Sequence, residues 1–133
     1  IGKYKWYIQS SPVNGWYYIV NSDNRKCLSR KSSKNSIRYY RFNVRTESYP
    51  YDCKQSDYRL WKFEDPSGAT VNPLQVTNPT EVRIKIRRWS NTCLFHYGTQ
   101  TRTKYGLYLF DCTIGGRYPS TSKFYIMPAY LYW

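Results

Sequence analysis

Residues 81–89 alternate without a break. Val82, Ile84 and Ile86 fall on one side of an extended chain, and Arg83, Lys85 and Arg87 on the other. A period of two is that of a half-buried antiparallel strand. The apolar members are β-branched, which suits a packed pleat. Arg88 and Trp89 follow directly. Similar runs predict strands over 4–9, 16–21, 26–30, 37–45, 58–64, 93–97, 105–112 and 123–126. Turn signals stand between them: Asn14-Gly15, Ser22 to Arg25, Asp65 to Gly68, Asn78-Pro79 and Ser90 to Thr92. Pro73 interrupts 71–76, which therefore reads as an edge strand or extended loop. Residues 46–57, 98–104 and 113–122 read as loops, and 128–133 as an aromatic tail. No helical period of useful length occurs, so the pattern predicts an all-β fold of roughly ten or eleven short strands. The length suits a single domain over 1–133.

Charge changes the picture most. The 133 residues carry 21 Lys and Arg against 8 Asp and Glu, a net charge of +13. A balance of that kind favours association with polyanions. The cations come in two acid-free blocks. One holds Arg25, Lys26, Arg30, Lys31, Lys34, Arg38, Arg41 and Arg45; the other holds Arg83, Lys85, Arg87, Arg88, Arg102 and Lys104. Glu47, Asp52, Asp57, Glu64 and Asp65 lie between them. Aromatic residues make up 20% of the chain, with 16 Tyr, which excludes a disordered segment.

The four cysteines, Cys27, Cys53, Cys93 and Cys112, contain no C-x2-C pair, and His96 is the single histidine. That removes the usual zinc patterns, and neither a metal nor a cofactor is predicted. Two disulfides account for the cysteines better, with three connectivities open. Disulfides imply an oxidising compartment and hence secretion. No stretch is apolar enough to span a bilayer, and no signal peptide is present, so the chain reads as a processed, mature form.

The two halves echo each other. Each runs strand, turn, Cys-Leu, strand, Cys, and then an aromatic-x-apolar signature. The paired features are Cys27-Leu28 with Cys93-Leu94, Cys53 with Cys112, and Trp61-x-Phe63 with Phe124-x-Ile126. Trp6-x-Ile8 opens the chain with the same signature. This layout resembles the β-trefoil, and within it the ricin-B-type lobes. The Gln-x-Trp of those lobes is replaced here by Arg59-Leu60-Trp61 and Ser122-Lys123-Phe124, and only two of three lobes are visible. The resemblance implies a β-trefoil with disulfides Cys27–Cys53 and Cys93–Cys112. A β-sandwich or another small barrel is the alternative. A small, basic, Tyr-rich chain is also similar in general character to salivary effectors of blood-feeding arthropods, such as the erythema-type proteins of black flies. That likeness implies interference with host haemostasis.

The function this reading supports is non-enzymatic binding of an extracellular polyanion or glycan, of the heparan glycosaminoglycan type, with nucleic acid a less favoured partner. The candidate contacts are Arg83, Lys85, Arg87 and Arg88 with Arg30, Lys31, Lys34, Arg38, Arg41 and Arg45, because guanidinium forks match sulfate and phosphate oxygens. Trp89 and Tyr39 are candidate aromatic platforms. One rival is an inhibitor of a host serine protease, presenting Arg30-Lys31-Ser32-Ser33, Arg102-Thr103 or Arg117-Tyr118 to a trypsin-like pocket. Another is a lectin or toxin binding subunit built on Asp23 and Asp111 with nearby Tyr. An enzyme would need Glu81 as base, His96 as acid and Arg83 or Arg87 on phosphate, in the manner of a small ribonuclease. No G-x-S-x-G nucleophile motif is present.

Overall fold

The computed structural model describes residues 5–30, 53, 56–96, 107–114 and 116–128, and the backbone of 42–48. Ten strands run through them: β1 Trp6–Ser10, β2 Tyr17–Asn21, β3 Lys26–Arg30, β4 Phe42–Ser48, β5 Trp61–Glu64, β6 Thr70–Val71, β7 Thr80–Ile86, β8 Thr92–His96, β9 Leu107–Asp111 and β10 Phe124–Ile126. Short 3-10 turns stand at Pro73–Gln75 and Ser120–Ser122. The fold is all-β, as alternation predicts, and every pairing is antiparallel. Pairing follows β1-β2-β3-β4-β9-β8-β7-β5-β6, and contact of β2 with β5 ties this path into a circuit. β10 joins through β7.

Pro73 acts as expected, cutting 71–76 down to a two-residue strand followed by a 3-10 turn. Its missing N–H costs nothing at the start of that turn, where the Asn72 side chain accepts from the Leu74 N–H at 3.0 Å. Of the predicted strand over 37–45, residues 37–41 lie outside the described residues, and β4 extends instead to Ser48. The tail 129–133 also lies outside them.

The repeat seen in sequence is repeated in register. Val20 faces Cys27 as Lys85 faces Cys93. Ile8 faces Ile19 as Phe63 faces Ile84. Tyr17 faces Trp61 as Val82 faces Phe124. The β2–β3 and β7–β8 turns both place a positive-φ residue two before the cysteine, Arg25 at 62° and Asn91 at 48°. Both disulfides form, Cys27–Cys53 and Cys93–Cys112, the pairing that the β-trefoil resemblance implies.

The inward sides of the two repeats meet in one core of Ile19, Leu28, Trp61, Phe63, Val82, Ile84, Ile86, Leu94, Leu109 and Ile126. Outside it, each disulfide holds a satellite cluster, with Tyr18, Val20 and Leu60 around Cys27–Cys53 and Phe95 with Phe110 around Cys93–Cys112. Trp61 joins the parts. Its ring is fully buried, its backbone pairs with Tyr17 and Ile86, and its Nε1–H donates to the Leu28 carbonyl at 3.1 Å. Trp61→Phe removes the donor, leaves that carbonyl unpaired and opens space. The expected loss is about 2–3 kcal/mol, read from urea unfolding.

Arg25 carries a local strain that Asn91 does not. A left-handed φ is unfavourable for a long side chain and tolerated by Asn. Arg25→Asn copies the second repeat into the first. It should raise the unfolding midpoint and stabilise by up to about 1 kcal/mol.

Candidate functional site

The alternating cations of β7 do not stand open to solvent as a row. Glu64 of β5 faces Arg83 across the ladder and is 7% exposed. Its Oε1 accepts from Arg83 Nε at 2.9 Å and lies 2.9 Å from Nη2, while Oε2 lies 3.4 Å from Lys85 Nζ. Two cations of the expected contact surface are thus half-buried and share one carboxylate. Glu64→Gln leaves both without their counter-charge. Loss of a buried ion partner should cost about 2 kcal/mol or more, measured as a lower urea midpoint.

Beyond that pair the cations are held by aromatic rings. Lys62 Nζ and the Arg87 guanidinium lie 5.8 and 5.7 Å from the centre of the Trp16 ring. Arg87 Nε also lies 3.4 Å from Asp57 Oδ1. Arg88 stands over Tyr58 at 5.6 Å and over Trp89 at 5.4 Å, and its Nε donates to the Tyr58 hydroxyl at 3.4 Å. Arg30 lies over the same Trp89 ring at 5.0 Å, and its backbone N–H donates to the Tyr58 carbonyl at 3.0 Å. Tyr58 and Trp89 meet edge to face at 5.7 Å. The ends of β3 and β7, together with segment 57–60, therefore gather Arg30, Arg87 and Arg88 on a frame of Trp16, Tyr58 and Trp89.

This frame is electrostatically costly by itself. Arg30 is 4% exposed. Burial draws its guanidinium below the ordinary value, the Arg88 charge adds to that, and Tyr58 opposes it. Arg87 Nη1 and Arg59 Nε are buried and have no hydrogen-bond partner among the described residues. Buried donors are nearly always paired, so these two nitrogens add to the cost of the frame.

The sequence-predicted contacts divide into three groups. Arg30, Arg87, Arg88 and Trp89 come together. Arg83 and Lys85 are nearby on β7 but engaged by Glu64. Lys31, Lys34, Arg38, Tyr39 and Arg41 lie outside the described residues, and of Arg45 only the backbone is described, opposite Ser29 in β4. Sequence reasoning missed Trp16, Tyr58, Arg59 and Lys62. The one signal for Tyr58, Arg59 and Lys62 is the cation–aromatic alternation of 58–62, which reads equally as strand packing, and Trp16 has none.

The residues of the rival readings are also placed. Arg30 is too buried to enter a protease pocket, its neighbours 31–33 and the pair Arg102-Thr103 lie outside the described residues, and Arg117 is exposed. The Asp111 carboxylate accepts from the Thr113 hydroxyl at 2.7 Å, the Thr113 N–H at 2.9 Å and Asn91 Nδ2 at 3.1 Å, which hold it below the usual carboxylate range. It serves its own turn. Asp23 is exposed. His96 Nε2 lies 3.1 Å from the Lys123 carbonyl, so it carries the proton and donates, and the ring packs edge-on against Phe124. Glu81 accepts from the Tyr125 hydroxyl at 3.1 Å. Among the described residues no group of three or more His, Cys, Asp or Glu could hold a metal ion. No described helix is long and apolar enough to cross a membrane.

Compared with protein-family models, with curated proteins and with solved structures, the chain matches none.

Proposed function

We propose that this chain is a secreted, non-enzymatic β-trefoil protein that binds sulfated or phosphorylated polyanions at the Arg30–Arg87–Arg88 cluster. The observation that carries the reading is the buried Arg30 beside Arg88 on the Trp89 ring, with Arg87, the residue before Arg88, having an Nη1 without a hydrogen-bond partner among the described residues. A bound oxyanion offsets the like-charge repulsion and accepts from the exposed edges of the guanidinium groups. Two disulfides suit an extracellular setting. The trefoil part of the reading is supported by the repeated registers and turns.

The aromatic residues have a different task from the one their interleaving suggests. Guanidinium groups already cover Trp89, so its ring serves to hold cations in place rather than to stack a base or sugar. Recognition then rests on charged oxygens. That favours a glycosaminoglycan over single-stranded nucleic acid, which gains much of its affinity from stacked bases.

The test is affinity for immobilised heparin over a salt series. Counterion release gives a linear fall of log affinity with log salt, whose slope counts the ionic contacts. Arg87→Ala combined with Arg88→Ala should reduce the slope by about two contacts, whereas Arg83→Ala should change it little because Glu64 holds that side chain. Elution near physiological salt, unchanged in the double variant, would overturn the proposal. An equally tight complex with single-stranded DNA of matched charge would overturn its preference for sulfated glycan.

A further inference from the structure

Asn14-Gly15 is the one Asn-Gly pair in the chain. It forms the tip of the turn between β1 and β2, which the Trp16 N–H closes by donating to the Val13 carbonyl at 3.1 Å. The Ser11 hydroxyl braces the same turn, donating to the Trp16 carbonyl at 2.6 Å. Asn14 is exposed. Gly15 has a φ of 84°, and a Cβ placed on it would meet nothing within 4 Å. Its N–H donates to no group among the described residues. Other asparagines are placed differently. Asn21 precedes Ser22, whose N–H donates to the Lys5 carbonyl at 2.9 Å, and Asn24 precedes Arg25, whose N–H donates to the Asn21 carbonyl at 2.9 Å. Asn72 and Asn78 precede proline, which has no N–H. Asn91 commits its Nδ2 to Asp111 at 3.1 Å. An exposed side-chain amide followed by an unhindered, unpaired backbone N–H is the arrangement that cyclisation onto the main chain needs, and glycine is the residue that shields that nitrogen least.

We propose that Asn14 is a self-modification site, which converts without an enzyme to aspartate and isoaspartate. The Gly15 nitrogen gives its proton to hydroxide and attacks Asn14 Cγ. An N–Cγ bond forms, the Cγ–Nδ2 bond breaks, and Nδ2 leaves as ammonia with a proton drawn from water, which restores the hydroxide. Water then opens the succinimide. Breaking the new N–Cγ bond gives aspartate; breaking the original peptide C–N bond gives isoaspartate, in which the main chain runs through Cβ and Cγ. The net reaction consumes water and releases ammonia, so an amide becomes a carboxylate. Either product places that carboxylate two residues before Trp16, whose ring holds Lys62 and Arg87. Isoaspartate also inserts a methylene into the main chain of the turn, which then no longer closes the hydrogen bond from Trp16 to Val13 in its present form. Trp16 leaves the position from which it holds Arg87. The conversion stands on the turn alone, whereas its effect on polyanion affinity rests on the function proposed for the basic cluster.

The full chain is incubated at mildly alkaline pH and sampled over time by cation exchange and by mass spectrometry of the tryptic peptide 6–25. That peptide also contains Asn21 and Asn24, which serve as internal controls. A less cationic species is expected, with its mass change confined to Asn14 and its isoaspartate share methylated by an L-isoaspartyl methyltransferase. Its rate of formation should rise with pH, because the attacking nitrogen must lose its proton. Asn14→Gln, whose longer side chain closes the ring slowly, should suppress the species. Absence of the species, or conversion of Asn21 or Asn24 as fast as Asn14, would overturn the proposal. The isoaspartate fraction is then compared with fresh chain and with Asn14→Asp on immobilised heparin over a salt series. Fresh chain and Asn14→Asp should share one slope, and the isoaspartate form should lose about one contact from it. A steep slope common to all three would overturn the coupling through Trp16. A flat slope already present in fresh chain would instead overturn the polyanion reading and the coupling with it, while the change in mass and charge at Asn14 would still support the modification.

Discussion

The indole of Trp61 is the point on which the rest depends. A tryptophan can be fully buried only if its N–H finds an acceptor. Here the acceptor is the carbonyl of Leu28, a residue of the neighbouring hairpin. One side chain thereby fixes three relations: the register of β5 on β7, its contact with β2, and the seat of β3 against the core. The Cys27–Cys53 bridge lies just outside, beside Leu60, so a covalent link and the buried hydrogen bond act on the same hairpin. The disulfide limits the unfolded chain, while Trp61 selects the folded arrangement.

Such selection has to be made against a charge of +13. The chain copes with its excess of cations in two ways. Where acid is at hand, Glu64 takes two of them at once. Elsewhere the faces of Trp16, Tyr58 and Trp89 take Arg30, Lys62, Arg87 and Arg88. A ring attracts a cation without neutralising it. Glu64 therefore offsets one of the two positive charges beside it, whereas the rings leave the charges they face unchanged; of the aromatic-bound group, Arg87 also has the Asp57 carboxylate at 3.4 Å. Position on a basic strand does not decide which cation can meet a polyanion; the nature of its nearest partner does.

That distinction explains what could be read from sequence. Alternation located β3 to the residue and β7, β8 and β10 to within a residue or two, because one buried face imposes a period of two wherever it occurs. The Cys-Leu repeat foreshadowed the matching registers. Partners across strands were not legible. Glu64 and Arg83 are 19 residues apart, and only the β5–β7 register makes them neighbours. Arg30 ends a predicted strand and reads as a surface contact, but β3 carries it, nearly fully buried, against the Trp89 ring. Tyr58 and Trp16 became site residues through tertiary packing alone.

The two repeats agree in register and differ in side chains. At the position where the first repeat has Trp61, with its donor, the second has Phe124, with none. Where the first has Val20 against its disulfide, the second has Lys85, turned toward Glu64. Closing the strand order around β5 requires neighbours on both its edges, and there the core is sealed and cations collect on the outside. Around β10 one edge lacks a described partner, and apolar rather than charged side chains reach the surface. A repeat that keeps register while exchanging side chains can thus place a charged surface and an apolar one on the same scaffold.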